Sequence, residues 1–72
     1  MRPLTPTETD VLYCAACGDS EGDTAEELGM SKSSVKGHRK SYIIKLDARN
    51  TTHAVVKAIA LGIIKPEEVV QA

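Results

Sequence analysis

The sequence lacks large aromatic side chains. It contains no Trp and no Phe, and only two Tyr. Since 42% of its 72 residues are hydrophobic, the core must be built mainly from aliphatic side chains. A chain of this length is predicted to form a single domain over residues 1–72, close to the smallest size that folds without a disulfide or a metal ion.

Signals for membranes, secretion and catalysis are also missing. No apolar run approaches the roughly 20 residues that cross a bilayer, and the N-terminus lacks the apolar region of a signal peptide. The sequence contains no Gly-rich phosphate loop and no nucleophile with an evident partner base. We therefore expect a cytoplasmic protein that is not an enzyme, with no membrane partner, no catalytic residue and no cofactor.

Cysteine is scarce, but its spacing needs an explanation. Cys14 and Cys17 form a C-x-x-C pair, which in a cytosolic protein suggests a metal or redox motif. No second pair exists, and His38 and His53 do not have the spacing of a zinc finger. Two helical cysteines three residues apart do not easily close a strain-free disulfide. We therefore expect no metal site, and we interpret the pair as part of a helix, with His53 exposed.

The net charge of −1 conceals a strong asymmetry along the chain. Residues 1–31 carry seven acidic side chains against a single basic one, Arg2. Residues 32–49 carry six basic side chains against a single acidic one, Asp47. A segregated basic segment of this kind is typical of proteins that bind nucleic acid.

Local signals predict four helices and no strand, which defines an all-α fold. Thr5 and Glu8 are expected to form a capping box at the first helix, while Ser20 and Ser31 are expected to cap the next two. The predicted ranges are about 20–28 for the second helix, about 32–46 for the third and about 52–61 for the fourth, which Asn50 or Thr51 caps. A short final turn is predicted after Lys65.

The third helix combines two different stripes. Val35, Tyr42, Ile43 and Leu46 recur with helical spacing on one face, which is expected to be buried. Ser33, Lys36, Gly37 and Lys40 recur on another face. A short helix, a turn with Gly and a second helix with a basic face are typical of a helix-turn-helix, whose second helix enters the major groove. Serines at the start of this helix suit a phosphate.

Several motifs then resemble one family. The segments "LTPTETDVL", "AEELGMSKSSVKGH", "KL" and "RNTTHAVVKA" resemble the LuxR/GerE-type four-helix, helix-turn-helix DNA-binding domain. The resemblance runs from about Leu4 to Ile64. It implies a bacterial or phage transcription regulator that binds double-stranded DNA sequence-specifically through the third helix. Partners implied beyond DNA are RNA polymerase and another LuxR-type regulator.

The resemblance also implies site residues. Lys36, Gly37 and Lys40 would face the bases, and Ser33 and Ser34 would lie near phosphates. Apart from the resemblance, the basic side chain of Arg39 is expected to join Lys36 and Lys40 in supplying phosphate or base contacts. The fourth helix is a candidate dimerisation helix, so a homodimer is expected through Val55, Val56, Ile59 and Ala60.

Some residues depart from the family pattern. Because the chain has no room for a receiver or ligand-sensing domain, it resembles the stand-alone members. The acidic segment "DSEGD", residues 19–23, lies where the family touches the phosphate backbone, and it should repel DNA locally. Gly37 lies inside a helix, where glycine costs about 1 kcal/mol relative to Ala. An alternative interpretation is a protein-interaction module, or antiactivator, that pairs with a larger regulator through the fourth helix.

Overall fold

The structure, a computed structural model, describes residues 2–69, and all of their regular elements are helices. They are α1 (Pro6–Ala16), α2 (Glu21–Leu28), α3 (Lys32–Lys45), α4 (Thr51–Ala60) and α5 (Pro66–Val69). The all-α prediction is confirmed, and α5 is the short final turn expected after Lys65. Within this part of the chain no helix combines the length and the hydrophobicity needed to cross a membrane.

Side-chain caps define where the helices begin. The Thr5 hydroxyl accepts a hydrogen bond from the Glu8 amide at 3.1 Å, and the Glu8 carboxylate accepts one from the Thr5 amide at 2.8 Å. Ser20 and Asp23 repeat this reciprocal arrangement at α2. Caps of this kind each stabilise a helix by about 1 kcal/mol. Single caps begin the other two long helices: Ser31 at α3 and Asn50 at α4.

The helices end in different ways. Gly29 terminates α2 in the left-handed region, with φ of 66°, as its position in the sequence predicts. The link between α3 and α4 instead uses Asp47, a non-glycine residue with φ of 54°. The ammonium of Lys57 donates hydrogen bonds to the carbonyls of Leu46 at 3.1 Å and Asp47 at 2.8 Å. This side chain from α4 therefore holds the turn that the polar sequence alone did not specify.

The core is aliphatic around one tyrosine. Tyr42 is the largest fully buried side chain, and its hydroxyl lies 2.5 Å from the Thr51 hydroxyl. Val35 and Leu46, from the predicted apolar stripe, are buried beside it, while Ile43 is only half-buried. Ile64 folds back after α4 and is fully buried. The core thus buries one face of α3, and the opposite face is exposed to solvent.

Candidate nucleic-acid interface

The exposed face of α3 is the face that the sequence predicts. Ser33, Lys36, Gly37 and Lys40 are all exposed, on the side opposite the buried Val35 and Tyr42. Because residues three and four apart share one side of a helix, these four form a continuous strip. The strip combines two cations with two small residues, so the helix backbone can approach a partner closely.

The first turn of α3 adds polar groups to this strip. The Ser31 hydroxyl accepts a hydrogen bond from the Ser34 amide at 3.1 Å and donates one to the Ser34 hydroxyl at 3.1 Å. The amides that precede Ser34 in the first turn have no helical acceptor and point outward, as at any helix N-terminus. Ser33 is exposed beside them. This end of α3 therefore presents amide and hydroxyl donors that suit an anion.

Arg39 occupies a different position from the other predicted DNA contacts. It is half-buried, and its Nη2 donates a hydrogen bond to the backbone carbonyl of Asp19 at 3.1 Å. Its Nε is buried without a hydrogen-bond partner among residues 2–69. The side chain thus ties α3 to the segment between α1 and α2. Its contact with DNA stays a prediction, whereas its contact with Asp19 is part of the fold.

A buried ion pair fixes α3 against α1. The Lys45 ammonium lies 2.7 Å from the Glu8 carboxylate, and the Ser41 hydroxyl donates a hydrogen bond to the same carboxylate. Burial opposes ionisation of Glu8, but hydrogen bonds from Lys45, Ser41 and the Thr5 amide outweigh it and hold the pKa of Glu8 at about 2. The carboxylate therefore stays charged and anchors the last turn of α3.

The two histidines lie on different helices. His38 is half-buried on α3. His53, predicted to be exposed, is also half-buried, because its Nδ1 accepts a hydrogen bond from the Arg49 amide at 3.1 Å. That prediction was wrong because a histidine in the first turn of a helix can fold back onto the backbone that precedes the helix.

The residues predicted for a dimer interface divide into two groups on α4. Val56 and Ala60 are exposed, and Val56 is 59% accessible. Val55 and Ile59 are half-buried and pack against the core. Leu61, just after the helix, is 55% exposed and extends the apolar outer surface. A single chain does not test this interface, which stays a prediction. Val56 and Ala60 nevertheless form an exposed apolar surface on α4.

One exposed residue that the sequence analysis did not predict extends the α3 strip towards its C-terminal end. Ile44 is 60% exposed and lies four residues after Lys40 on the same side of the helix. The sequence contains enough information to predict this position. Ile44 lies seven residues, or about two helical turns, after Gly37 and therefore on the same face of the helix. An isoleucine in this position adds an apolar end to an otherwise polar and basic surface.

Cys14 and Cys17 differ in their surroundings. Cys14 is buried and its thiol lies 4.0 Å from the Glu27 carboxylate, whereas Cys17 is exposed at the end of α1. Burial, together with the nearby carboxylates of Glu27 and Asp19, raises the pKa of the Cys14 thiol. Cys14 thus belongs to the buried core, and the sequence alone does not reveal its two acidic neighbours.

Comparison with known proteins agrees with this geometry. Residues 2–58 match the family model described as bacterial regulatory proteins, luxR family. The chain is 42% identical over 66 residues to the quorum sensing-dependent transcriptional regulator VjbR of Brucella abortus, covering 92% of this chain and 26% of that protein. It is 37% identical over 60 residues to the transcriptional activator CarR of Pectobacterium carotovorum, covering 83% and 25%.

A third relative is an uncharacterised transcriptional regulatory protein, YxjL of Bacillus subtilis. It is 41% identical over 64 residues, covering 89% of this chain and 29% of the relative. The chain thus spans about a quarter of the length of the curated relatives that it matches. Because all three relatives are named as regulators or activators of transcription, the alternative interpretation as an antiactivator is not favoured.

Proposed function

Since the chain belongs to the luxR family of bacterial regulatory proteins, we propose that it binds duplex DNA through α3 and regulates transcription. The observation that carries the proposal is the exposed strip of Ser33, Lys36, Gly37 and Lys40 on a helix whose opposite face is locked into the core. A helix about 10–12 Å wide fits the major groove of B-DNA, which is about 12 Å wide.

Each residue of the strip has a proposed role. Lys36 and Lys40, one turn apart, reach base edges or the adjacent phosphates, and both release counterions from the DNA. Gly37 lies between them and lets the helix backbone approach the groove. Ser33, Ser34 and the outward amides of the first turn of α3 hold a phosphate, which fixes the orientation of the helix. Together these contacts give both positioning and sequence readout.

Arg39 has a proposed positioning role. Its guanidinium is already engaged with the Asp19 carbonyl, and this contact holds the acidic segment 19–23 against α3. A phosphate contact through its remaining donors is compatible with that arrangement, because a guanidinium carries five N–H groups. Arg39 therefore links the scaffold segment to the helix that enters the groove.

A homodimer through α4 completes the proposal. Val56, Ala60 and Leu61 present apolar surface to solvent, and a second copy of the same surface is a self-complementary partner for it. Two copies related by a twofold axis would place their α3 helices in half-sites about 34 Å apart, which is one turn of DNA. We also propose that the protein acts in the cytoplasm and has no catalytic activity of its own.

Fluorescence anisotropy with labelled duplexes tests the proposal. The protein is expected to bind random duplex DNA at low salt, and to select a two-part recognition sequence from a randomised pool. The matched control is Lys65→Ala, which removes an exposed lysine outside α3 and is expected to bind as the unmodified protein does. Failure to bind any duplex at low salt by a folded protein would overturn the proposed function.

A further inference from the structure

A cavity between the C-terminal half of α1 and α2 has no role in the DNA interface. Its volume is about 550 Å³, and it is lined by both cysteines together with the acidic residues Asp10, Asp19 and Glu27. These residues come from three separate places in the chain: α1, the link after it and α2. Two thiols and three carboxylates lining one cavity are an unusual concentration of metal-ligand chemistry in a chain of 72 residues.

Three of these side chains converge on one point. The Cys14 Sγ and one carboxylate oxygen each from Asp19 and Glu27 all lie within 4.8 Å of one another. The distance from Cys14 Sγ to Glu27 Oε2 is 4.0 Å. In a tetrahedral zinc site with ordinary bond lengths, a sulfur and an oxygen ligand are about 3.5 Å apart. A shift of about half an ångström in the exposed Glu27 side chain would therefore bring this pair to ligand spacing.

Two hydrogen bonds fix the main chain of Asp19 next to Cys14. The Asp19 amide donates a hydrogen bond to the Cys14 carbonyl at 3.0 Å, and the Asp19 carbonyl accepts one from Arg39 at 3.1 Å. Cys14 itself is 8% exposed, so it is the most buried of the three ligands. The thiol of Cys14 and the backbone of Asp19 are thus placed side by side by the fold, and the carboxylates of Asp19 and Glu27 adjust to bring their oxygens to ligand spacing.

We propose that Cys14, Asp19 and Glu27 form a binding site for a zinc-type divalent transition-metal ion. The fourth position is open to water or to the thiol of Cys17 at the rim. A thiolate among the ligands favours ions such as Zn²⁺ and Co²⁺ over Mg²⁺ and Ca²⁺, which prefer oxygen alone. This inference revises the expectation from the sequence, which considered only the cysteine pair and the histidines.

Binding requires a change of protonation at one atom. The Cys14 thiol loses its proton to solvent as the sulfur–metal bond forms. The ion then joins α1, the segment after it and α2 through one centre. Since the ion binds the folded chain and not the unfolded one, it is expected to raise the midpoint of thermal unfolding as its concentration increases.

Titration of the reduced 72-residue chain with Co²⁺ tests the site. A thiolate bound to Co²⁺ gives a charge-transfer absorption band in the near ultraviolet, and we expect this band to saturate at one ion per chain. Excess Zn²⁺ should remove it. Cys14→Ser is expected to abolish the band, and Glu27→Gln is expected to weaken Co²⁺ binding by about tenfold or more.

The controls make the outcome decisive. Glu26→Gln removes an exposed carboxylate from the same helix and does not line the cavity, so it should bind Co²⁺ as the unmodified chain does. Glu27 is exposed, so its variant is expected to fold even if Cys14→Ser does not. No charge-transfer band with the unmodified chain would overturn the site. A band that survives in Cys14→Ser, or is lost equally in Glu26→Gln, would overturn it as well.

Discussion

The side chain of Lys32 lies against Gly22, so that a methyl group at position 22 would be 3.1 Å from the Lys32 Cε and 3.7 Å from its Nζ. The first residue of α3 therefore reaches back over the first turn of α2, which carries Glu21 and Asp23. This contact places a cation beside the acidic segment that, from the sequence alone, should repel DNA. A methyl group at position 22 would make the flexible end of the Lys32 side chain shift by a few tenths of an ångström.

Lys32→Met is expected to weaken DNA binding on any sequence. The variant keeps the apolar stem over Gly22 but removes the charge that offsets Glu21 and Asp23. The loss should be about threefold to tenfold at low salt, corresponding to about 1 kcal/mol for an exposed charge. Anisotropy titrations against random duplex DNA measure it, with Lys65→Met as the control. Adding Glu21→Gln should restore part of the affinity; equal binding by Lys32→Met and the unmodified chain would refute this role.

The ion pair between Glu8 and Lys45 predicts acid sensitivity. The pKa of Glu8 is about 2 in the fold, against an ordinary value of 4.5, so the unfolded chain takes up a proton more readily. The stabilisation is complete above about pH 4.5 and is lost as the pH falls towards about 2. Urea unfolding at about pH 6 and about pH 3 should therefore show a large loss of stability at the lower pH.

Lys45→Met tests the same ion pair by removing its ammonium group. Because it leaves the buried Glu8 carboxylate without its partner, we expect it to lower the free energy of unfolding at neutral pH by about 3 kcal/mol. The free energy of unfolding of this variant should also change less than that of the unmodified chain over the same pH range. Glu26→Gln, which alters an exposed carboxylate, should leave the pH profile unchanged. A Lys45→Met variant as stable as the unmodified chain at neutral pH would contradict the role of the pair.

Gly37→Ala separates stability from DNA binding. No heavy atom lies within 4 Å of the space that the new methyl group would occupy, and glycine inside a helix costs about 1 kcal/mol relative to Ala. The variant should therefore be more stable by up to about 1 kcal/mol, yet bind DNA more weakly, because the methyl group projects into the proposed interface. Thermal unfolding and anisotropy measure the two effects. Unchanged affinity would show that the backbone at Gly37 does not approach DNA.

Gly29→Ala is the matched control for that experiment. Gly29 also has open space around it, but its φ of 66° lies in the left-handed region, where a side chain is strained. This variant should lose about 1 kcal/mol of stability. A gain of stability for Gly37→Ala and a loss for Gly29→Ala would support a helical backbone at Gly37 and a left-handed backbone at Gly29.

Val56→Glu is expected to convert a dimer into a monomer. The new carboxylate would lie on the exposed apolar side of α4, where a second copy would bury it. Sedimentation equilibrium measures the mass, and circular dichroism checks that the helices remain. Lys65→Glu, an acidic substitution at an exposed position outside α4, should leave the mass unchanged. If the unmodified chain is already a monomer at all accessible concentrations, the proposed α4 interface is wrong.

Much of the fold was predictable because helix caps and helical stripes depend on residues that are close together in the sequence. The caps at Thr5, Ser20 and Ser31 act within four residues of their partners, so their patterns can be read from short segments. The two stripes of α3 follow from helical spacing alone. Predictions of this kind need no knowledge of how the helices pack.

Contacts between distant residues were not predictable in the same way. Arg39 lies near the DNA-facing strip in a helical projection, and only packing against the segment before α2 turns it towards Asp19. The convergence of Asp19 and Glu27 on Cys14 likewise depends on how α1 and α2 meet. The left-handed Asp47 was missed because the atoms that hold it come from Lys57, ten residues further on.

The salt dependence of DNA binding shows directly whether the lysines of α3 contact phosphates. Each phosphate contact contributes about 0.9 to the slope of the logarithm of affinity against the logarithm of salt concentration. We expect Lys36→Ala and Lys40→Ala to weaken binding to duplex DNA and each to reduce this slope by up to about one, whereas Lys65→Ala should leave both the affinity and the slope unchanged. Identical slopes for Lys36→Ala, Lys40→Ala and the unmodified chain would contradict the placement of the exposed face of α3 against DNA.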